Sequence, residues 1–255
     1  LGFILARMPR LGGGLPVRVD VRGALPHTAD MTTPLEPAAR PPLPAFAQRQ
    51  TPMTVSAPLL RLLQQAYATP PRAYHHLGHL DEAIGWFDWT AERAPWRAPR
   101  EGYVALLFHD AIYVPGAKDN EARSAELACA AIAGRSAAGP LAELEGVDDA
   151  RVAALIGWTA QHGRLTADEV DEEAARLLDC DLAILAASPE RYLRYRDEIA
   201  CEYAALPAQA YLAGRRAFVA SLLARPRRFL SELFHRELDA RAVANLRAEL
   251  AHLTP

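Results

Sequence analysis

The stretch "REGYVALLFHDAIY", residues Arg100–Tyr113, is apolar on nearly every side of the helix that it would form. A helix that is apolar all round is usually buried in the core of a domain. We therefore predict that this segment is the central helix. The doublet His109–Asp110 lies among its apolar residues, and a buried carboxylate or imidazole is costly unless a partner satisfies it. The doublet is either a structural pair, a helix end open to solvent, or part of a site.

Helical periodicity continues on both sides of this stretch, from Ser56 to near the end of the chain. Alternating strand patterns and internal repeats are absent from the sequence, so the predicted fold class is all-α. We expect one domain of eight to ten helices over residues 53–255. The helical segments read "APLLRLLQQAYA", "HLDEAIGWFDWTAERA", "REGYVALLFHDAIY", "DNEARSAELACAAIAG", "DDARVAALIGWTAQHG", "ADEVDEEAARLLDCDLAILAA", "SPERYLRYRDEIACEYAAL", "PAQAYLAGRRAFVASLLA" and "DARAVANLRAELAHL".

Residues 1–52 are rich in Pro, Gly and Arg and carry no sustained period. Such a composition buries too little apolar surface to offset the entropy lost on ordering. We expect this range to be disordered and dispensable, or an extension upstream of a natural start at Met31 or Met53.

The overall composition excludes some classes of function. The 255 residues carry a formal net charge of -3, which does not indicate a nucleic-acid binder held by phosphate contacts. The three cysteines are scattered without CxxC spacing and favour small buried side chains in a reducing compartment. No apolar run has the length of a membrane helix, so the expected location is the cytoplasm. The sequence does not indicate an oligomeric state.

A second group of histidines occurs in "YHHLGHL", Tyr74–Leu80. If this stretch is helical, His75 and His79 share a face and His76 points elsewhere. Two histidines at this spacing can bind a metal or place an acid beside one. The alternative is a helix that has polar residues near its start.

A third polar pair lies within "LLDCDLAIL", where Asp179 and Asp181 are surrounded by leucines and isoleucine. Each could be a helix cap or an arginine partner. Together with the histidines of the two earlier stretches, these aspartates favour a metal centre. Histidine and carboxylate ligands suit Mn, Fe, Co, Ni, Zn or Mg and do not choose among them.

Other polar residues could complete a pocket. Glu121 could orient water or hold a second metal, or could belong to the acidic first turn of a helix. His162 could be a second-metal ligand or a phosphate contact, or could satisfy carbonyls at a helix end. The candidates for contact with a phosphorylated substrate are Arg72, Asn120, Arg123, Arg196, Arg215 and Arg216.

These motifs resemble the HD superfamily of metal-dependent phosphohydrolases over roughly residues 59–253, and within it a bacterial branch of predicted HD phosphohydrolases. "YHHLGHL" is also similar to the "YHNxxHA" stretch of cyclic-nucleotide phosphodiesterases, which share the helical HD architecture. The resemblance implies that the metal ligands are His79, His109, Asp110 and Asp181. It implies that His75 protonates the leaving group, and it matches "CDL" to the family's "ADL", which selects Asp181 over Asp179.

The resemblance implies a single helical HD/phosphodiesterase-like domain that hydrolyses a nucleotide or another small phosphoester. It implies a divalent metal that activates a water, with Asp110 and Glu121 as further catalytic residues. The chain departs from the family where His76 replaces Asn, and where the doublet lacks the lysine of "HDxGK". Two alternatives stay open, a non-catalytic nucleotide sensor and a di-iron HD-type oxygenase that would use His162 and Glu121.

Overall fold

The computed structural model describes residues 44–49, 52–68 and 72–253. Over these residues the chain forms nine α-helices and no β-strand, which confirms the predicted all-α class. The helices are α1 (Ala57–Ala68), α2 (Leu77–Ala91), α3 (Pro99–Phe108), α4 (Asn120–Ile132), α5 (Asp149–Thr159), α6 (Glu172–Leu182), α7 (Pro189–Glu202), α8 (Ala208–Leu223) and α9 (Glu232–His252). Short 3-10 turns lie at Ala45–Gln48, Ala142–Leu144 and Ala183–Ala186.

Several helices begin at side chains that accept a hydrogen bond from the first turn. Asp148 caps α5, Asp171 caps α6, Ser188 caps α7 and Ser231 caps α9. Each cap satisfies a backbone N–H that has no partner within the helix. Ser188 and the following proline therefore start α7.

The central helix is α3, as its apolar sequence predicts. Residues 102–108 are all buried, and α3 packs against α2, α4, α5 and α6. The helix differs from the prediction at its end, because it stops at Phe108 and does not continue through Tyr113. His109 and Asp110 therefore stand at the end of a buried helix, inside the domain.

A second layer packs α9 against α6, α8 and the turn Ala183–Ala186. In this layer Arg215 is completely buried, and its Nε and Nη2 atoms donate to the Glu249 carboxylate at 2.7 and 3.0 Å. The prediction that Arg215 contacts a phosphate is wrong, because its guanidinium is enclosed with a carboxylate partner.

The described part of the N-terminal range packs on the domain. Phe46 is fully buried, and the Asp81 carboxylate accepts from the backbone N–H groups of Ala45 and Phe46 at 3.1 and 2.9 Å. Tyr103 donates its hydroxyl to the Phe46 carbonyl at 3.2 Å. The folded unit therefore includes residues upstream of the expected boundary at 52, because one aromatic side chain completes the core. The rest of the predicted disordered range, residues 1–43 and 50–51, lies outside the described residues.

In the described part of the chain, no helix is both long enough and apolar enough to span a bilayer.

Candidate metal centre

The histidine-rich stretch does not form one continuous helix. Helix α2 begins only at Leu77, and His76 is its N-cap, whose ring Nδ1 accepts from Gly78 N–H at 2.8 Å. His79 lies in the first turn of α2, whereas His75 precedes the helix. The expectation that His75 and His79 share a helical face is wrong, because α2 begins after His76 and does not include His75. Both side chains are nevertheless buried, with ring centroids 5.9 Å apart.

The doublet His109–Asp110 follows the end of α3, so the two neighbours are not held on different faces of a helix. The His109 Nδ1 lies 2.7 Å from the Leu106 carbonyl and donates to it. This hydrogen bond fixes the ring and leaves Nε2 as the ligand atom. Arg72 donates to the carbonyls of Asp110 and Ala111 at 2.6 and 3.0 Å, which holds the chain in place after the helix end.

The two aspartates of α6 have different surroundings. An Asp181 oxygen lies 3.0 Å from His79 Nε2 and 3.5 Å from His109 Nε2. Asp179 instead accepts from Leu230 N–H and from the backbone and hydroxyl of Ser231, all within 2.7 Å. Asp181 therefore faces the histidines, whereas Asp179 accepts hydrogen bonds from the residues at the start of α9.

Four ligand atoms converge, one each from His79, His109, Asp110 and Asp181, and all lie within 4.8 Å of one another. The two Nε2 atoms are 3.2 Å apart, and Asp110 Oδ2 is 3.6 and 3.2 Å from those of His79 and His109. Ligand atoms about 2.1 Å from a common ion in a tetrahedral site are separated by about 3.4 Å. The donor set and its spacing therefore fit a divalent cation. We call these residues the four-residue cluster.

Within the described residues, no arginine or lysine forms an ion pair with the carboxylates of the four-residue cluster. Burial acts to raise the pKa of Asp181, but His109 and hydrogen bonds from His162 and His79 hold this pKa well below its usual value. The pKa of Asp110 is also lowered, because the His109 charge outweighs burial. Among the described residues, the ion-pair partners of both carboxylates are histidines. A bound divalent cation would take the place of the His109 charge beside the two ionised carboxylates, because an imidazole that binds a metal is neutral.

His75 is held by Glu202, which the sequence analysis missed. The ring Nδ1 of His75 lies 2.6 Å from Glu202 Oε2. The other oxygen of Glu202 accepts from the backbone N–H groups of Ala73, Tyr74 and His75 at 2.8–3.0 Å. Burial acts to raise the pKa of Glu202, but the His75 ring and these backbone donors outweigh it and lower the pKa to about 2. Glu202 is 127 residues from His75, and "CEYAAL" carries no signal of the pairing.

A small polar cavity of about 10 Å³ adjoins the four-residue cluster, roughly the room that one water needs. Residues that line it are His75, Asp110, Tyr113, Glu121, Thr159, His162 and Asp181. Glu121 thus lies at the cavity edge as well as in the acidic first turn of α4. His162 Nε2 lies 2.6 Å from Asp181 Oδ2, and burial lowers the His162 pKa. Both residues reach the site, but neither belongs to the group of four converging ligand atoms.

Two of the predicted substrate contacts have structural partners. Asn120 is buried and closes the loop before α4, because its side chain accepts from Val114 N–H and donates to Val114 O at 2.9 and 3.0 Å. Arg72 donates to four backbone carbonyls, those of Ala66, His75, Asp110 and Ala111. Both were predicted to contact substrate, but these bonds assign them to positioning the chain around the site. Arg123 is exposed on α4, and its role stays a prediction.

Comparison with protein-family models, with curated proteins and with solved structures finds no match for this chain.

Proposed function

We propose that this chain is a metal-dependent phosphohydrolase. The observation that carries the proposal is the four-residue cluster, which offers two imidazoles and two carboxylates to one point beside a small cavity. His75 lines that cavity and is held by Glu202, and its ring adds a group that can exchange a proton. The resemblance to the HD superfamily supports the same chemistry.

The reaction is the hydrolysis of a phosphate ester. The bond between phosphorus and the ester oxygen breaks, the water oxygen bonds to phosphorus, and the released alcohol takes up a proton. A divalent ion supplies Lewis acidity and lowers the pKa of a water when it is bound. His79, His109, Asp110 and Asp181 are the residues that would hold it.

His75 would supply the proton to the leaving oxygen. Because Nδ1 is engaged by Glu202, Nε2 is the ring atom left to exchange a proton with substrate. Tyr113 stacks on the His75 ring at a centroid distance of 3.9 Å and restricts its rotation. Glu121, at the edge of the cavity, would orient water.

The experiment that tests the proposal joins metal analysis to a phosphoester screen. We expect the purified protein to bind a divalent metal and to hydrolyse nucleotides or other small phosphoesters with at least one of Mn, Mg, Fe, Co, Ni or Zn. The His79→Ala variant should lose metal. The His75→Ala variant should keep metal and lose turnover by on the order of 10²–10⁴, with a smaller loss for nitrophenyl esters, which need little protonation.

The exposed residue His252 offers a matched control, since His252→Ala should change neither metal content nor rate. Ligand-induced melting shifts without product would favour a nucleotide sensor. Two irons per chain would favour an oxygenase, with Glu121 and His162 as further ligands. A chain that binds no metal would contradict both the phosphohydrolase and the oxygenase.

A further inference from the structure

A larger cavity of about 340 Å³ opens on another side of the four-residue cluster. It lies between α2, α6, the turn Ala183–Ala186 and the start of α7, and its walls include His79 and Asp181. Asp181 also lines the small polar cavity, so both spaces meet at this residue. The volume lies within the range of about 300–1,000 Å³ that is usual for small-molecule sites.

The walls of this larger cavity are mainly aromatic and aliphatic. Trp86 and Trp89 are on one side, and Ile184 and Ala187 are on another. The two tryptophans contact each other at a ring-centroid distance of 5.3 Å, and Phe234 packs against them at 5.9 and 5.3 Å. This aromatic wall is braced from behind and suits a flat apolar group.

The charged residues of the larger cavity are already paired. Arg191 donates from Nε and Nη2 to the two oxygens of Glu82 at 2.6 and 3.0 Å, and from Nη1 to Glu198 at 3.0 Å. A guanidinium held by two carboxylates offers little to a phosphate. The anionic part of a ligand would therefore go to the metal, and the uncharged part would go to the cavity.

One buried polar group beside the larger cavity lacks a hydrogen-bond partner within the described residues. Tyr74 lines the cavity and is only 1% exposed, yet its hydroxyl makes no hydrogen bond within the described part of the chain. An unsatisfied buried hydroxyl is unfavourable, so such groups are usually paired. A ligand with a hydrogen-bond acceptor would satisfy it.

We propose that this larger cavity binds the organic group of the phosphoester and selects an apolar group of one or two rings that offers an acceptor to Tyr74. The inference rests on the proposed function and narrows its substrate class. The walls offer few polar groups to the hydroxyls of a ribose. The substrate is then an ester of a ring-bearing apolar alcohol and not a nucleotide.

The first test compares two non-hydrolysable ligands, methylphosphonate and 1-naphthylmethylphosphonate, by calorimetric titration of the metal-loaded protein. The naphthyl compound should bind at least about tenfold more tightly, because burial of its rings adds apolar contact area. Equal affinities would overturn the cavity assignment and leave the phosphohydrolase proposal standing. Failure of both compounds to bind would overturn the two proposals together.

A matched pair of glycines locates the naphthyl group. Gly85 is an exposed residue of α2 that lines the larger cavity, and a Cβ built there meets nothing within 4 Å. Gly157 on α5 is equally exposed and open, and it does not line this cavity. Gly85→Leu should reduce the naphthyl preference to less than about threefold, whereas Gly157→Leu should retain it. An unchanged preference in Gly85→Leu would place the rings elsewhere and overturn the inference.

The acceptor is tested with Tyr74→Phe and a set of quinolinylmethylphosphonates, in which one ring carbon is replaced by nitrogen. At least one isomer should bind the unsubstituted protein about fivefold more tightly than the naphthyl compound, and Tyr74→Phe should remove this gain. Because the hydroxyl has no partner, Tyr74→Phe should not lower the melting temperature. If no isomer gains affinity, or if the gain survives in Tyr74→Phe, the role of the hydroxyl is overturned.

Discussion

Two buried polar clusters in this molecule have opposite chemistry. The four-residue cluster joins the end of α3 to α2 and α6, and its members are His79, His109, Asp110 and Asp181. The second cluster joins α7, α8 and α9, and its members are Tyr192, Tyr195, Arg215 and Glu249. We call it the Arg215 cluster.

The Arg215 cluster contains its own cation. The guanidinium donates twice to Glu249 and once to the Tyr195 hydroxyl, and Tyr192 donates to Glu249. In the four-residue cluster, ring nitrogens and carboxylate oxygens face one another at 3.0–3.6 Å, and no arginine or lysine pairs with them in the described residues. Buried charge alone therefore does not identify a binding site. The informative feature is a pair of carboxylates whose ion-pair partners in the described residues are histidines, because a histidine can give up its proton and bind a metal ion.

The largest expected effect is on metal content and turnover, and it should follow from replacing one carboxylate oxygen of Asp181 by an amide nitrogen. Asp181→Asn should lower metal content to near zero and reduce turnover by more than about 100-fold, since even partners of metal ligands often matter by 10–100-fold. The stability of the metal-free protein should fall, because His109 and His162 lose the ionised carboxylate that they stabilise. Metal content is measured by elemental analysis, and stability by urea unfolding with and without metal.

Asp179→Asn is the matched control, two residues away on the same helix. It should keep metal but lose about 1–3 kcal/mol of stability, because an amide NH2 replaces one of the two oxygens that accept from the start of α9. If Asp179→Asn lost the metal while Asp181→Asn kept it, the contrast between the two aspartates would be wrong.

The Arg215 cluster should respond in the opposite way. Glu249→Ala leaves a buried guanidinium without its carboxylate, so the free energy of unfolding should fall by about 3–5 kcal/mol. Metal content per folded chain should not change. The neighbouring exposed arginine supplies the control, and Arg216→Ala should alter stability by less than about 0.5 kcal/mol. Loss of metal in folded Glu249→Ala would show that the two clusters are coupled.

Local sequence patterns predict the helices and the ligand types, but not the contacts that orient them. The apolar run of α3 and the caps of α5 and α7 are local signals, and both are present in the structure. The end of α3 at Phe108 is not a local signal, because the apolar pattern continues to Tyr113. That helix end is what lets two adjacent residues, His109 and Asp110, face one point.

The partners of His75 and Asp110 show the same limit. Glu202 and Arg72 act through hydrogen bonds to backbone groups, and such bonds leave no pattern in side-chain spacing. Because arginine suits phosphate, the sequence predicts a substrate contact for Arg72, and it carries no signal for Glu202. Pairing across 127 residues depends on the packing of α7 beside the start of α2, which a single sequence does not encode locally.

Phe46 should affect the stability of the chain and not its metal content. A chain that starts at Met53 loses this buried ring and the hydrogen bonds to Asp81, so its stability should fall by about 3 kcal/mol relative to a chain that starts at Pro44. Urea unfolding of the two chains measures the difference, and metal content should be equal in both. Equal stabilities would restore the expectation that everything upstream of Met53 is dispensable.

The smallest effect concerns the pH dependence of stability at Glu202. Like Glu249 in the Arg215 cluster, Glu202 is a buried carboxylate whose hydrogen-bond donors come from the protein. Its pKa is about 2 in the folded chain against a usual value of 4.5. A lowered pKa adds stability above pH 4.5, and this stability is lost as the pH falls from 4.5 toward 2. The contribution at neutral pH is on the order of 2 kcal/mol.

Unfolding of the metal-free protein is measured from pH 7 to pH 3, beside Glu202→Gln, which cannot titrate there. The variant should be less stable at pH 7, and the two curves should approach each other below pH 4.5. A constant gap across this range would mean that Glu202 does not gain its stability from ionisation, and it would remove Glu202 from the class of carboxylates whose charge the protein itself satisfies.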